Sequence, residues 1–423
     1  MILTAIRRLI KAWKQYGLVA TLRLISYRLK SDLVGRNTHL GGIAAEMYNE
    51  LLRKHQSGEI QGIAIIPSAF EFDELYNQRT INLAKYLSGK GYGVIYVAWQ
   101  WHRGEVLQKN YQYVYKNVIQ VPLYSFSETY FQLKIFSEIN NKKYLIMLPA
   151  KIFYDLLFFM KEHCFDVYYD IMDDWECFHK AGQAPWYNKS IEEAIVLNAN
   201  RITAVSTSLV RKFSHLRTDI GCVGNGFCSE LLGAPKIALA DIREDAGINI
   251  GYFGHLTDAW FDWQLLFELL EKHKNVHLNI IGYGEPNEVR KKAQKYDNLN
   301  LVGKISPREL REYADHWHVA IIPFKKLELS EAVDPIKIYE YLYLDLPVVA
   351  TGIPHLKDYP YVEVVDNNSE LLYNSIVKQY EKKLGNEVDY SVISSFLSDK
   401  TWDKRFGELF ETDFLSALYK EEV

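Results

Sequence analysis

A lysine and a glutamate stand three residues apart in the second half of the chain, in a stretch that predicts the start of a helix. Asp334 is a good helix N-cap and Pro335 suits the first helical position. Lys337 and Glu340 then lie on one face of that helix, one turn apart. The unpaired amides of a helix start and an ammonium group attract a diphosphate, and a carboxylate can accept hydrogen bonds from ribose hydroxyls. The alternative is an ordinary capped helix with a surface ion pair.

Two adjacent acids end a predicted strand in the first half. Asp173 and Asp174 follow the β-rich run 167–172, and the carboxyl ends of strands line the ligand cleft of an open α/β sheet. A close carboxylate pair raises the pKa of one member by mutual repulsion, which suits a general base for a hydroxyl group. The pair also suits binding of sugar hydroxyls, and the remaining alternative is an acid that caps a loop.

The elements that must position these residues alternate between short β-rich runs and longer helical patterns from about residue 60 onward. That alternation is typical of a parallel sheet covered by helices. The interval 229–246 interrupts it and predicts a linker. We therefore expect an α/β protein with two doubly wound, Rossmann-like domains facing a central cleft. The predicted strands are 62–67, 94–98, 118–122, 144–149, 167–172 and 201–205, then 248–253, 276–281, 299–302, 319–323, 348–350 and 362–365.

Length, charge and cysteine content exclude several classes of protein. A chain of 423 residues predicts two to three domains at roughly 150 residues each. A net charge of −4, from 49 basic and 53 acidic residues, gives no support to a nucleic-acid surface. Four cysteines are too few and wrongly spaced for a disulfide framework, which predicts a reducing compartment. No apolar stretch approaches the ~18 residues needed to span a bilayer.

The two ends of the chain predict amphipathic helices. Residues 1–31 carry seven basic side chains and no acidic one, with apolar residues at helical spacing between them. This pattern favours association with an anionic membrane surface, and the alternative is a solvated helix that packs on its own domain. Near the other end, Trp402, Phe406, Phe410 and Phe414 recur every fourth residue, which predicts a helix packed back across the first half.

Several short segments together resemble the GT-B glycosyltransferases, especially glycosyltransferase family 4. In the second half they are residues 334–351, Gly251-Tyr-Phe-Gly254-His255-Leu and Ile280-Ile-Gly282-Tyr-Gly284. In the first half, Asn77-Gln78-Arg79, residues 169–175 and residues 223–226 resemble bacterial transferases that build teichuronic-acid-type and other surface polysaccharides. The likeness covers residues 60–415 and lies in the order of the segments. It implies an acceptor domain at 41–235 and a donor domain at 245–398, flanked by the helices at 1–40 and 399–423.

The resemblance implies a role for individual residues of the donor domain. Glu340 matches the second glutamate of the family's Glu-x7-Glu motif, which holds the donor ribose, whereas Ala332 stands at the first. The family's Gly-Arg loop with its phosphate-binding lysine reads Gly254-His255 here, and Lys337 is the candidate for the displaced charge. The implied donor-binding set is Gly254, His255, Gly282, Gly284, Lys304, Ile305, Asp334, Ile336, Lys337 and Glu340, with the main chain near Lys304 and Ile305 meeting the base.

In the first half, the resemblance implies catalytic residues and residues that contact the acceptor. Met172 stands where the family's retaining enzymes place a histidine, and Asp173 follows it. Asp173, Asp174 and Lys337 are the candidate catalytic residues, and lineage favours retention. Gln78, Arg79 and Asp170 are candidates for contacts to the acceptor or the donor phosphate. For Arg79 the alternative is an ordinary exposed arginine.

The sequence predicts a metal-independent reaction without a cofactor. No Asp-x-Asp triplet occurs, and His316-Trp-His318 is more typical of packing than of a metal site. The expected activity is sugar transfer from a nucleoside diphosphate sugar to a glycan acceptor, presumed lipid-linked, on the cytoplasmic face of a bacterial membrane. Two rivals stay open: a nucleotide-sugar 2-epimerase-like isomerase and a non-catalytic glycan-binding subunit of a synthase complex.

Overall fold

The computed structural model describes residues 39–233, 247–385 and 387–411, which form two sheets with helices on both faces. The predicted α/β class with two doubly wound sheets is confirmed. The predicted helices at 1–31, Phe414 and most of the predicted linker lie outside the described residues. No described helix combines the length and the apolar character that a bilayer span requires, and all four cysteines are free thiols.

The first sheet has eight strands in the order β3-β4-β2-β1-β5-β6-β7-β8, parallel except for β3. Its central strands are apolar and buried over their whole length, as strands covered by helices on both faces must be. The strands are β1 Gly62–Ser68, β2 Tyr92–Ala98, β3 Gln112–Tyr115, β4 Val118–Pro122, β5 Lys142–Ile146, β6 Asp166–Ile171, β7 Arg201–Ala204 and β8 Ile220–Cys222.

Helices of the first half cover that sheet and begin at recognisable caps. Asn188 and Ser206, for example, accept hydrogen bonds from the backbone of the turn that follows each of them. The helices are α1 His39–Gln56, α2 Arg79–Gly89, α3 Leu123–Thr129, α4 Lys151–Glu162, α5 Trp175–Lys180, α6 Lys189–Asn198, α7 Thr207–Phe213 and α8 Ser229–Leu232, with a 3-10 helix at Tyr130–Phe136.

The second sheet has six parallel strands in the order β11-β10-β9-β12-β13-β14. Its strands are β9 Ile248–His255, β10 Val276–Tyr283, β11 Leu299–Gly303, β12 Val319–Pro323, β13 Val348–Thr351 and β14 Val362–Val365. The helices are α9 Trp263–Lys272, α10 Asn287–Ala293, α11 Leu310–Ala314, α12 Glu328–Ala332, α13 Lys337–Tyr343, α14 Ser369–Leu384, α15 Tyr390–Ser398 and α16 Trp402–Glu411, with a 3-10 helix at Pro354–Asp358.

The sequence pattern does not predict two of the strands, and both lie at the ends of the first sheet. β3 is an antiparallel edge strand with mostly exposed side chains, and β8 has only three residues. Neither contains the buried apolar run that marks the other strands. The remaining predicted strands are present with small shifts at their ends, which is the usual uncertainty of element boundaries.

The last helix that the structure describes, α16, packs against the first half of the chain. Trp402, Phe406 and Leu409 of α16 are buried in an apolar cluster with residues of β1, β2 and α2. At the crossing, a Cβ on Gly226 would lie 2.9 Å from the backbone nitrogen of Trp402, so only glycine allows this approach. The helix therefore packs against the first half although it follows the second.

Candidate functional site

Lys337 lies at the first position of α13, next to the loop that ends β9. Its ammonium nitrogen is 5.2 Å from the ring centroid of Tyr252 and 5.4 Å from that of Phe324. Within the described residues it makes no hydrogen bond and no ion pair. Burial lowers the pKa of Lys337 to about 8, and the Glu340 carboxylate offsets part of that effect. The lysine is therefore a half-buried cation whose hydrogen-bonding capacity is unused.

Three glycines bring backbone close to this cation. A Cβ on Gly254 would lie 3.2 Å from Lys337 Nζ, and a Cβ on Gly282 would lie 1.9 Å from the carbonyl oxygen of Gly254. A Cβ on Gly284 would lie 2.6 Å from His255 Nε2. The ends of β9 and β10 can approach each other this closely because these positions have no side chain. The turn forms a narrow cradle beside the ammonium group.

His255 adds a neutral ring to the cradle. Burial lowers its pKa, and the neighbouring charge of Lys337 lowers it further. Its ring packs edge-on against Tyr283, with the centroids 5.2 Å apart. At neutral pH the histidine therefore contributes hydrogen-bonding capacity to the cradle without a second positive charge.

Glu340 faces the first half of the chain. Asn77 Nδ2 donates to Glu340 Oε1 at 2.7 Å, and Asn77 Oδ1 accepts from Trp402 Nε1 at 2.5 Å and from Asn82 Nδ2 at 3.1 Å. Burial raises the pKa of Glu340, while the Asn77 bond and the Lys337 charge oppose that rise. One asparagine thus joins the predicted ribose ligand, α2 and α16.

The prediction that Asp334 caps the helix is wrong. The helix begins at Lys337, after a turn at Ile336, and no side chain caps it. The Asp334 carboxylate instead accepts hydrogen bonds from Tyr339 Oη at 2.9 and 3.0 Å and from the backbone nitrogen of Asn225 at 2.5 Å. Burial raises its pKa. Because this acid is enclosed and hydrogen-bonded, it is not presented to a phosphate.

Lys304 and Ile305 follow β11 at the edge that faces the first half. Lys304 Nζ lies 5.3 Å from the ring centroid of Tyr76 and 5.5 Å from that of Tyr283. Lys304 is exposed and Ile305 is half-buried. The segment stands at the mouth of the cleft, where its main-chain contact to a base stays a prediction.

The two acids after β6 have different surroundings. Asp174 is 3% exposed, accepts a hydrogen bond from the Cys177 backbone at 2.9 Å as the cap of α5, and pairs with Lys212 Nζ at 2.6 Å. It therefore has the loop-capping role considered as the alternative. Asp173 is half-buried, and burial, helped by the charge of Asp174, raises its pKa to about 7. Asp173 is the better candidate for a base.

Arg79 and Asp170 form a buried ion pair, which corrects their placement as acceptor contacts. Their side chains are 3% and 0% exposed, and Arg79 reaches both carboxylate oxygens of Asp170, at 2.6 and 3.0 Å. Arg79 also donates to the Gly224 carbonyl at 2.8 Å, and Thr203 Oγ1 donates to Asp170 at 2.7 Å. The pair joins α2, β6, β7 and the segment after β8. Gln78 remains half-buried at the start of α2.

Two groups of possible metal ligands lie among the described residues, and a residue of each group already has another partner. Ligand atoms of Asp174, Cys177 and Glu328 lie within 4.8 Å of one another, but Asp174 is already held by Lys212. His318 Nδ1 accepts a hydrogen bond from the Asn249 backbone at 2.9 Å, and burial lowers its pKa to about 4. The second observation agrees with the packing interpretation of His318.

Asn77, Asn225, Tyr339 and Arg405 are the residues whose roles sequence reasoning missed. Arg405 Nε donates to the Asn225 carbonyl at 3.1 Å, and Asn225 Nδ2 donates to the Asp334 carbonyl at 2.6 Å. Asn77 and Asn225 stood in segments noted for their resemblance, but their partners lie more than a hundred positions away. No local spacing carries that information.

The protein has the GT-B fold class. Two mostly parallel sheets with helices face one cleft, and the glycine cradle lies at the edge of the second sheet. Residues 248–381 match the family described as Glycosyl transferases group 1. The second half of the chain is therefore similar to group 1 glycosyl transferases. The same match covers the cradle, Lys337 and Glu340.

Comparisons over longer regions agree with this class. A Bacillus subtilis (strain 168) protein named as a teichuronic acid biosynthesis glycosyltransferase, TuaH, is 24% identical over 232 residues, which cover 52% of this chain and 58% of that protein. The sucrose-phosphate synthase of Thermosynechococcus elongatus superposes with a TM-score of 0.62 at 14% identity, covering 84% of this chain and 100% of that one. Anabaena Alr3699/HepE, in complex with UDP and glucose, gives 0.61 at 12% identity with the same coverage.

Proposed function

We propose that the chain transfers a sugar from a nucleoside diphosphate sugar to a glycan acceptor, without a metal. The observation that carries the proposal is the ammonium group of Lys337 beside the Gly254 and Gly282 turn, which has no partner in the part of the chain that the structure describes. A half-buried cation without a partner is costly unless an anion meets it in the working state. A diphosphate supplies that anion, and the close backbone gives it room.

The same geometry supports a division of labour in the reaction. Lys337 stabilises the negative charge that develops on the departing diphosphate. Preorganised electrostatic stabilisation of this kind is often the largest contribution to the rate enhancement of an enzyme. Glu340 accepts hydrogen bonds from the ribose once its bond to Asn77 is exchanged for them. Asp173 removes the acceptor proton if the reaction inverts the anomeric centre, and binds the acceptor hydroxyl if the reaction retains it.

Known relatives support the choice of substrates. Alr3699/HepE binds UDP and glucose, and the name of TuaH refers to teichuronic acid, a cell-surface polymer. We therefore propose a nucleoside diphosphate sugar as donor and a growing, lipid-linked surface glycan as acceptor. The sugar transfer would take place at the cytoplasmic face of a bacterial membrane.

A nucleotide panel tests the donor. The full chain is melted with UDP, GDP, dTDP or CMP, and we expect one diphosphate to raise the melting temperature, because a ligand that binds only the folded state stabilises it. No shift with any nucleotide contradicts the donor site. Incubation of the matching sugar nucleotide without acceptor then separates the isomerase from the transferase, since an isomerase converts it and a transferase leaves it intact or slowly hydrolyses it.

The pH dependence of kcat/KM is expected to be bell-shaped, with an optimum between about 7 and 8. As pH rises through 7, Asp173 loses its proton and becomes competent as a base. As pH rises past 8, Lys337 loses the charge that binds diphosphate. Glu192 also has a pKa raised to about 7, but Tyr169 and Tyr187 enclose it.

The variant Asp173→Asn assigns the acidic limb. We expect it to lower kcat and to remove the rise near pH 7 while the alkaline limb stays. If the rise persists in Asp173→Asn, the limb belongs to another group, such as Glu192, and Asp173 is not the base.

Membrane association of residues 1–31 is part of the proposal. Their seven basic side chains are each worth about 1 kcal/mol near an anionic leaflet. Deleting residues 1–31 is expected to release the protein from anionic phospholipid vesicles in a sedimentation assay. Equal sedimentation of the truncated and full chains would contradict an anchor in this segment.

A further inference from the structure

Four of the nine tryptophans contact one another in a row along the carboxyl edge of the first sheet. The ring centroids are 6.0 Å apart for Trp101 and Trp99, 5.6 Å for Trp99 and Trp186, and 5.2 Å for Trp186 and Trp175. Trp99 and Trp101 follow β2, and Trp175 comes directly after Asp173 and Asp174. The tryptophan row, residues 101, 99, 186 and 175, thus leads from the surface to the carboxylates after β6.

The outer end of the row is open to solvent. The side chain of Trp101 is 60% exposed. This exposure is unusual for a tryptophan, because the protein buries most of its aromatic side chains. Phe70 and Val106 are also exposed, and they lie on the neighbouring loops after β1 and β2. Exposed apolar side chains on two neighbouring loops are a feature of binding surfaces.

The loop that presents Trp101 is held by its own hydrogen bonds. Glu105 accepts from the Trp101 backbone nitrogen, and Gln100 Nε2 donates to the Glu105 carbonyl at 2.6 Å. The other end of the Gln100 amide accepts from the Tyr124 backbone nitrogen at 3.1 Å, and Arg103 lies over the Tyr124 ring. The backbone that carries the indole is therefore held in place before any ligand arrives, which lowers the entropy cost of stacking on the ring.

Polar residues neighbour Trp101 along its loop. His102 and Arg103 are exposed beside Trp101, and Gln108 is exposed a few residues further along the same loop. Trp99 Nε1 and Trp175 Nε1 are buried and have no hydrogen-bond partner within the described residues. An apolar face with donors and charges around it fits a pyranose ring, which has a C–H face and a rim of hydroxyls. A lipid chain would leave those polar groups unmatched.

We propose that the tryptophan row is the acceptor subsite, with Trp101 stacking against a sugar ring of the glycan that receives the new residue. This assignment rests on the proposed function, since it names where that reaction's acceptor lies. The row directs the acceptor toward Asp173, and the donor cradle lies on the other domain. Phe178 of the first half contacts Trp260 of the second with ring centroids 5.4 Å apart, next to the inner end of the row.

The test uses the full chain, an array of bacterial surface oligosaccharides and, separately, the nucleotide found in the melting panel. The variants are Trp101→Ala and Trp101→Phe, with Leu371→Ala as the matched control, because Leu371 is comparably exposed but lies on α14 of the second domain. We expect Trp101→Ala to weaken glycan binding roughly tenfold. Trp101→Phe should recover most of that loss, Leu371→Ala should bind as the wild type does, and nucleotide binding should be unchanged in all three.

Other outcomes overturn the proposal. Equal glycan binding by the wild type and Trp101→Ala places the acceptor elsewhere. If the wild type binds the nucleotide but no glycan, the acceptor subsite is wrong and the donor site stands, whereas failure to bind either one removes the proposed function itself. If Trp101→Ala loses binding to anionic phospholipid vesicles while glycan binding is intact, the row faces lipid and not sugar.

Discussion

Replacing Lys337 by alanine is expected to abolish the nucleotide-induced rise in melting temperature and to reduce sugar transfer by roughly 10²- to 10³-fold. The variant removes the ammonium group that lies against the Gly254 and Gly282 turn. A hydrogen bond to a charged group is worth about 1.5–3 kcal/mol, which corresponds to roughly 10- to 150-fold in nucleotide affinity. Calorimetric titration measures the affinity, and a discontinuous assay with the labelled donor measures transfer.

The loss should come without a loss of stability. Because burial lowers the pKa of Lys337 to about 8, the fold disfavours its charged form, and alanine removes that unfavourable burial. The melting temperature without nucleotide is therefore expected to stay level or rise. Lys291→Ala is the matched control, since this lysine is exposed on α10. A full nucleotide shift in Lys337→Ala, or an equal loss in Lys291→Ala, would contradict the donor site.

Replacing Arg79 by methionine is expected to cost about 3–5 kcal/mol of folding free energy, because it leaves the fully buried Asp170 carboxylate without its partner. Thr203 alone would then hold that carboxylate. The segment after β8 would also lose the Arg79 bond to the Gly224 carbonyl, which helps to seat Asn225 against Asp334. Urea unfolding monitored by circular dichroism measures the change in free energy.

Arg103→Met is the matched control for Arg79→Met. Its ion pair with Glu128 is exposed, and pairs of that kind are worth about 0–1 kcal/mol. The double variant Arg79→Met, Asp170→Asn should recover part of the stability, since it removes the uncompensated charge. If Arg79→Met is as stable as Arg103→Met and only the acceptor KM rises, the arginine contacts substrate and the structural role is wrong.

Local sequence patterns were enough for the architecture. Buried apolar runs alternating with amphipathic helices mark nearly all the strands, because each run must lie between two helical layers. A family resemblance of short segments pointed to the donor cradle, whose role in donor binding stays a prediction. Its residues, such as Gly254, Gly282 and Lys337, lie in short segments at the carboxyl ends of strands or at the start of a helix, and parallel strands bring those ends to one edge.

Long-range partners decided what the sequence left open. Asp334 was predicted as a helix cap, but Asn225 and Tyr339 hold its carboxylate inside the protein. Arg79 was predicted in the cleft, but it is paired with Asp170 91 positions away. Asp173 and Asp174 look alike in the sequence, but in the structure only Asp174 caps α5 and pairs with Lys212. The physical reason is that a polar side chain takes its role from the partner it meets when buried, and chain spacing does not encode that partner.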